Sequence, residues 1–240
     1  MRSIAKLMKD WQFTGPDGVT TAVELPHTWN ARDGQDGGND YWRGCCTYCT
    51  RFAAPVYDPA QQQVWLQFEG VNASAAVLLN GQQLCAHDGG YSTFRAEVTE
   101  LLQAENQLTV RVDNSVNDRV YPQKADFTFY GGIYRDVSLL VVNKNHIALG
   151  HFGDTGVKIT PTLQENSADI QVETLVEGEG TVTVELLDAE GRTVAKGEGE
   201  NTFLHLDAPH LWNGVKDPYL YTCVVRLLQD GQPVDEVTTR

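Results

Sequence analysis

The stretch AAVLLNGQQLCAH, residues 75–87, carries the strongest indication of fold in this sequence. Asn80-Gly81 lies between two short runs rich in apolar residues, and this dipeptide is favoured in two-residue turns that reverse the chain. The turn predicts a β-hairpin, in which the two runs pair as antiparallel strands. The fold is therefore expected to contain an antiparallel sheet around this point.

The segments on either side of the hairpin repeat the β pattern. VWLQFEGV (64–71) and QLTVRVDN (107–114) alternate apolar with polar residues, as half-buried strands do. Helical periodicity is nearly absent. VTELLQAEN (98–106) is the only short helical candidate, with Thr99 as a cap for one or two turns. The pattern predicts an all-β, antiparallel sandwich.

The character of the sequence changes near VNKNHIALG (142–150). Seven short strand-like runs follow within about 95 residues, a density typical of an immunoglobulin-like sandwich. We therefore predict one β-sandwich over residues 1–142 and a smaller, immunoglobulin-like one over residues 143–240. DEVTTR (235–240) lies within a strand pattern, which predicts that the natural polypeptide continues.

Composition argues against several classes of function. The formal net charge is −14, which disfavours binding to nucleic acid or to an anionic membrane. There is no apolar stretch of about 18 residues that could span a membrane. The first residues contain no apolar core of about 7 residues, so we expect no secretory signal. An odd number of cysteines, five, is consistent with reduced thiols and a cytoplasmic location.

Metal-binding patterns are weak. Cys46 and Cys49 match a CxxC pattern but fall in a strand-like run, where residues three apart point to opposite faces. No second CxxC and no closely spaced histidines accompany them, so we interpret them as packing residues. Trp11, Trp65 and Trp212 are expected in a core or at a domain interface.

The segment ADFTFYGGIYRDVSLLVV (125–142) places Asp126 among aromatic residues, before Gly131-Gly132 and a strand-like run. An ordinary surface turn requires no aromatic residues. One interpretation makes Asp126 a solvated loop residue whose aromatic neighbours close the end of the sandwich. The other makes it part of a binding site. Asp136, at the start of the strand-like run, is expected to pair with a cation on a neighbouring strand.

Seven segments, in this order, resemble glycoside hydrolase family 2. They are WQF (11–13), LPHTWN (25–30), DYWRGCCTYCTRF (40–52), FEGVNASAAVLLNG (68–81), HDGGYSTFRAEVT (87–99), VRVDNS (110–115) and DFTFYGGIYRDVSL (126–139). LW (211–212) and PYLYT (218–222) are similar to the immunoglobulin-like domain that follows in this family. The resemblance covers essentially the whole chain and is greatest to bacterial β-galactosidases.

The resemblance implies a galactose-binding-like jelly roll, then an immunoglobulin-like domain, then a catalytic (β/α)₈ barrel as the partner of both. No Asn-Glu dipeptide, which carries the family's acid, occurs in this chain, and no alternation of strands and helices could build a barrel. We therefore expect no catalytic residue here. The whole enzyme is expected to cleave β-galactosides with retention and to assemble as a homo-oligomer.

By the same resemblance, Asp126 contacts the non-reducing sugar and helps to hold its C6 hydroxyl, in part through a bound sodium or magnesium ion. A carboxylate can accept hydrogen bonds from two sugar hydroxyls, and hard cations prefer oxygen ligands. The loop at residues 33–44 is a second substrate candidate, through Asn39 or Asp40, although a plain surface turn is an equal alternative. A β-glucuronidase parent, a free-standing carbohydrate-binding module and an adhesive immunoglobulin-like protein remain open.

Overall fold

A computed structural model describes residues 1–31, 41–121 and 128–240. Contacts between Cα atoms divide the chain into two compact units. Ile4–Val141 form an N-terminal unit, and Val142–Arg240 form a C-terminal unit together with Met1–Ser3. Each unit is built from antiparallel strands around its own apolar core.

The first thirteen strands alternate with short loops and one helical turn. Their bounds are β1 Ser3–Lys6, β2 Trp11–Thr14, β3 Thr20–Val23, β4 Cys45–Ala53, β5 Gln62–Phe68, β6 Val71–Asn72, β7 Ser74–Leu79, β8 Gln82–Asp88, β9 Phe94–Glu97, β10 Glu105–Asp113, β11 Gly132–Ile133, β12 Val137–Asn143 and β13 His146–Ile147. A single 3₁₀ turn, Thr99–Leu101, precedes β10.

The N-terminal unit is a jelly-roll sandwich. One sheet has six strands in the order β3-β2-β4-β10-β7-β8, the other has four in the order β1-β12-β5-β9, and β11 pairs with β6. Inward side chains of both sheets form one core because alternate residues of each strand face it, as Val64, Leu66 and Phe68 do on β5. The all-β sandwich that the alternation predicted is confirmed.

The hairpin predicted at residues 75–87 is confirmed. β7 and β8 pair antiparallel around Asn80 and Gly81, whose φ angles are +52° and +83°. Two consecutive residues with positive φ define the turn whose twist matches that of the strands, and asparagine and glycine tolerate this conformation best.

The helical candidate at 98–106 is only partly correct. One 3₁₀ turn forms, but Thr99 does not cap it. Its hydroxyl instead donates to Glu97 (Oγ1–Oε1, 2.8 Å) and accepts a hydrogen bond from the Val64 amide at 3.0 Å. The chain then enters β10 at Glu105, because its alternating residues find partners on β4 and β7. Sheet pairing therefore overrides the weak helical pattern.

The C-terminal unit is an immunoglobulin-like sandwich, as the spacing of its strand patterns predicted. Its further strands are β14 Val157–Leu163, β15 Ser167–Thr174, β16 Val176–Glu177, β17 Thr181–Leu187, β18 Thr193–Glu198, β19 Asn201–Asp207, β20 Thr222–Gln229 and β21 Gln232–Thr239. One sheet has the order β14-β15-β19 and the other β18-β17-β20-β21, while β13 pairs with β16. A second 3₁₀ turn spans Gly214–Lys216.

The tryptophans differ in their positions. Trp11 is fully buried in the core of the N-terminal unit, as expected, whereas Trp212 is 63% exposed. Trp212 therefore lies outside the core, and the alternative position for it, a domain interface, stays a prediction. Among the described residues, neither 3₁₀ turn nor any other helix has the length and apolarity needed to cross a membrane.

One local expectation is confirmed. Asp136 pairs with Lys6 on the neighbouring strand β1, at 2.5 Å between Oδ2 and Nζ. His87 Nε2 lies 3.1 Å from both the Gly89 carbonyl oxygen and the Ser92 hydroxyl, within the turn after β8. Cys46 and Cys49 both lie on β4, where Cys46 is buried and both thiols are free.

Candidate functional site

The three residues predicted to contact sugar, Asp126, Asn39 and Asp40, lie outside the described residues. The structure therefore leaves their predicted roles as predictions. The residues that border both segments are described, and they define how the chain enters and leaves each loop. The candidate site is built from these bordering residues.

Asn30 joins the borders of both loops. Its side chain is fully buried, and its amide nitrogen donates to the carbonyl oxygen of Trp42 at 2.9 Å, across the segment that holds Asn39 and Asp40. Its amide oxygen accepts a hydrogen bond from the backbone N–H of Gly131 at 2.7 Å, just beyond the segment that holds Asp126. One buried side chain thus holds both loop bases together.

Asn114, at the end of β10, extends this network. Its amide nitrogen donates to the Asn30 oxygen at 3.1 Å, and its own oxygen accepts from the Gly44 amide at 2.9 Å. The backbone N–H of Asn114 in turn donates to the Gly44 carbonyl oxygen at 3.2 Å. Since Asn114 is 4% exposed, water does not compete with these bonds, and the loop bases are tied to the rigid six-stranded sheet.

The two glycines that follow Asp126 are required by close packing. A Cβ at Gly131 would lie 2.1 Å from the Trp29 ring, and one at Gly132, where φ is +135°, would lie 2.4 Å from the His27 carbonyl oxygen. Only glycine fits such positions. Gly132 begins the two-residue strand β11, and the long strand β12 follows it. The two glycines therefore allow the chain to pack closely just before β12 begins.

Further bonds fix the outgoing limb of the Asp126 loop. The Thr28 hydroxyl donates to the Gly131 carbonyl oxygen at 2.7 Å, and the Asn72 side chain donates to the Tyr130 carbonyl oxygen at 2.8 Å. Asn72 is 4% exposed. Tyr130 and Gly131 are therefore held by the buried Asn72 and the half-buried Thr28.

An arginine lies among aromatic rings at the edge of the site. The guanidinium carbon of Arg43 is 4.7 Å from the centre of the Tyr41 ring and 5.8 Å from that of Phe129. Its Nη2 also donates to the Tyr41 hydroxyl. Phe129 is buried, whereas the neighbouring Tyr130 is 44% exposed and presents its ring to solvent. A cation over aromatic faces is electrostatically favourable.

The described residues leave only a small depression here. Its volume is about 10 Å³, space for about one water molecule, and Arg43, Asn114 and Phe129 are among its lining residues. Within the described ranges, no three His, Cys, Asp or Glu side chains gather at metal-binding distance. Of these residue types, the described part alone offers no ligand set for the sodium or magnesium ion that the resemblance implies.

Burial shifts the titration of two groups under the site. His27 Nδ1 lies 2.7 Å from the Tyr48 hydroxyl, and Tyr48 is fully buried. Desolvation lowers the pKa of His27 below its ordinary value and raises that of Tyr48 far above its own. Both side chains are therefore neutral at pH 7, and the hydrogen bond between them needs no charge.

The three anchoring asparagines were missed as site residues. Asn30, Asn72 and Asn114 all lie in segments that carried the family resemblance: LPHTWN, FEGVNASAAVLLNG and VRVDNS. An asparagine at the end of a strand pattern is ordinarily a turn residue. Only the long-range bonds show that these asparagines anchor the loops.

A jelly-roll sandwich followed by an immunoglobulin-like sandwich defines the structural class of the chain, a two-unit all-β protein. The sequence agrees. Residues 39–162 match the glycosyl hydrolase 2 galactose-binding domain-like model, and residues 151–240 match the model of glycosyl hydrolases family 2. The chain belongs to glycosyl hydrolases family 2.

Relatives of two specificities resemble the chain. A β-glucuronidase from Bacteroides fragilis is 32% identical over 97% of this chain and 36% of its own length. A β-galactosidase from Bacteroides ovatus is 29% identical over 96% of this chain and 30% of its own. The crystal structure of an FMN-binding β-glucuronidase from Facaelibacterium prausnitzii superposes with a TM-score of 0.92 at 34% identity, covering 99% of this chain and 39% of that one. The chain thus spans about a third of the length of such relatives.

Proposed function

We propose that this chain is the non-catalytic N-terminal portion of a retaining glycoside hydrolase that acts on β-galactosides. The observation that carries the proposal is the Asn30 network, which joins the base of the Asp126 loop to the base of the loop with Asn39 and Asp40. Two loops anchored at one point can act on one ligand. The family membership supports a sugar as that ligand, bound at the active site of the whole enzyme.

In this proposal the chain binds and orients sugar, and other parts of the enzyme perform the chemistry. The Asp126 carboxylate accepts hydrogen bonds from sugar hydroxyls. Aromatic side chains such as Tyr130 cover the apolar faces of the sugar and exclude water. Double displacement with retention needs two carboxylates about 5–5.5 Å apart. We assign both to the barrel of the whole enzyme.

The test uses the full-length gene product and the 240-residue chain. We expect the full-length protein to hydrolyse nitrophenyl β-galactoside and the 240-residue chain to be inactive on it. Hydrolysis by the 240-residue chain would contradict the assignment of catalysis to the barrel. Absence of glycosidase activity in the full-length protein would contradict the proposed function itself.

Asp126 can be tested directly in the full-length protein. Asp126→Ala removes a hydrogen bond to a charged acceptor, which is worth about 1.5–3 kcal/mol, so kcat/KM should fall by about 10- to 150-fold. Asp118→Ala is the matched control because Asp118 is an exposed aspartate of the same unit. Equal effects of the two substitutions would remove Asp126 from the substrate site.

A β-glucuronidase is the second candidate. Arg43 supports it, because a glucuronide carries a carboxylate and Arg43 is a cation at the edge of the candidate site. Assays of the full-length protein on nitrophenyl β-glucuronide and β-galactoside separate the two. Faster hydrolysis of the glucuronide, together with a larger effect of Arg43→Gln on the glucuronide, would favour the second candidate.

A free-standing carbohydrate-binding module makes a different prediction. The 240-residue chain alone would then bind galactose or lactose more tightly than millimolar. Our proposal predicts weaker binding because the small depression in the described residues cannot enclose a sugar ring. Isothermal titration with either sugar decides between them.

A further inference from the structure

The immunoglobulin-like unit has an apolar groove of about 670 Å³ that its own strands leave open. Residues of both its sheets line the groove, as do Leu211, Trp212 and Leu220 of the connection between β19 and β20. These three side chains are 52%, 63% and 48% exposed. An exposed, contiguous apolar surface of this kind marks an interaction site.

One strand shows that the core is incomplete on this side. Alternation along β14 directs Val157, Pro161 and Leu163 to the same face, and the register pairs Pro161 with Ile170 and Leu163 with Ala168. Ile170 and Ala168 are buried, yet Leu163 is 58% exposed. The inward face of β14 is therefore buried at Val157 and exposed to solvent at Leu163.

The rim of the groove is held in place by polar bonds. His210 stacks on Tyr219 with ring centres 4.0 Å apart, and its Nε2 lies 2.6 Å from Asp217 Oδ2. The His210 amide donates to the Tyr221 hydroxyl at 2.9 Å. Because these bonds fix the connection, Trp212 is presented outward without further ordering, which lowers the entropic cost of docking.

The last residues of the chain lie at the same groove. Thr239, at the end of β21, pairs with Cys223, and both line the groove together with Arg240. Polypeptide that follows Arg240 in a longer enzyme would leave β21 at this point. The relatives described above are about three times as long as the chain.

We propose that in the intact enzyme the groove is a docking surface for the polypeptide that follows Arg240, with Trp212 and Leu220 as its anchoring side chains. This inference rests on the proposed function, since it takes the chain to be the front of a longer glycosidase. Apolar side chains of that following domain fill the space beside Leu163 and complete the core of the sandwich.

Hydroxyl-radical footprinting of the full-length protein and of the 240-residue chain tests the proposal. Phe203, 70% exposed and outside the groove, is the internal control. Labelling of Trp212 should fall by about fivefold or more in the full-length protein, as a side chain 63% exposed becomes largely buried, while labelling of Phe203 stays unchanged. Equal labelling of Trp212 in both proteins would overturn the proposal.

Two further measurements identify the occupant. Leu220→Glu in the full-length protein should restore labelling of Trp212, whereas Phe203→Glu should not. Protection of Trp212 that disappears on dilution to the monomer would assign the groove to a second copy and overturn the proposal.

Glycosidase assays on the same samples separate this inference from the proposed function. A full-length protein that hydrolyses glycosides with Trp212 still labelled contradicts the docking surface alone. A full-length protein that protects Trp212 but cleaves no glycoside contradicts the proposed function, and the docking contact stands.

Discussion

At the scale of single residues, Asn30 connects the residues that border both candidate loops. Within the described part of the chain, its side-chain amide is hydrogen-bonded to Trp42, Gly131 and Asn114, and the bonds to Gly131 and Asn114 are buried. A buried polar network of this kind stabilises only while every member is satisfied. The side chain therefore connects local stability to the position of the loops that we propose to contact sugar.

Asn30→Ala leaves two buried N–H donors and one carbonyl without this partner. We expect a loss of about 2–3 kcal/mol in the free energy of unfolding. Urea unfolding followed by tryptophan fluorescence measures it, because Trp212 is the only one of the five tryptophans outside the N-terminal unit. Gln12→Ala, at an exposed position of β2, is the control and should change stability by less than about 0.5 kcal/mol.

The lowered pKa of His27 predicts how the stability of the protein depends on pH. Burial lowers its pKa in the folded protein below the ordinary 6.5, so the unfolded chain binds this proton at higher pH than the folded one. Stability is then retained above pH 6.5 and decreases as the pH falls below it. His87, whose pKa burial also lowers, acts in the same direction.

The measurement is the melting temperature between pH 5 and pH 8. His27→Asn, which retains a polar atom near the Tyr48 hydroxyl, should reduce the loss of stability at low pH. His205→Asn is the control. Asp169 raises the pKa of His205 in the folded protein, so this substitution should not make the loss smaller. An unchanged pH profile in His27→Asn would show that His27 is not the titrating group.

At the scale of single elements, the β7–β8 hairpin shows sequence and structure in agreement. Asn80 and Gly81 have the positive φ angles that a two-residue turn requires. The structure adds a second role for Asn80, whose side chain donates to the Leu101 carbonyl oxygen and to Asn106 Oδ1 and accepts from the backbone N–H of Gln107. The turn is thus also bound to the start of β10 and to the 3₁₀ turn that precedes it.

Gly81→Ala tests the turn without disturbing packing. A Cβ at Gly81 would meet nothing within 4 Å, so the cost comes from φ of +83° alone. We expect a loss of about 1–2 kcal/mol in the free energy of unfolding. Gln82→Ala, exposed at the adjacent position, should have almost no effect in the same urea experiment. A Gly81→Ala protein as stable as the parent would argue against the turn described here.

At the scale of the whole molecule, the two ends of the chain meet in one unit. Arg2 forms a bidentate pair with Asp235, with Nε–Oδ1 at 2.8 Å and Nη2–Oδ2 at 2.5 Å. Asp235 is fully buried and also accepts a hydrogen bond from the Ile147 amide at 2.8 Å. The first residues thereby belong to the C-terminal sandwich, although 233 positions separate the two partners.

Arg2→Met should strongly destabilise the C-terminal unit, since it leaves a buried carboxylate without its cation. We expect a loss of about 3–5 kcal/mol, measured by hydrogen exchange of the β17 and β20 amides. Lys158→Met breaks an exposed pair with Glu173 in the same unit and should cost about 0–1 kcal/mol. Similar losses in the two variants would mean that the Arg2 pair is no stronger than a surface pair.

The sequence alone determined the all-β class, the β7–β8 hairpin and the strand patterns of both sandwiches. Alternation and turn chemistry act between neighbouring residues, so they can be read locally. It also led to the family, through motifs in order. It did not reveal that the Thr99 hydroxyl binds the backbone of Val64 on β5 instead of capping a helix.

Only the tertiary structure showed that Asn30 joins two loop bases, that Arg2 pairs with Asp235, and that Trp212 lies on the surface. Each of these depends on which distant segments come together and on what covers a side chain. A local pattern marks a tryptophan as apolar, but it cannot say whether the fold supplies enough neighbours to bury it. That physical limit separates what the sequence determined from what the fold decided.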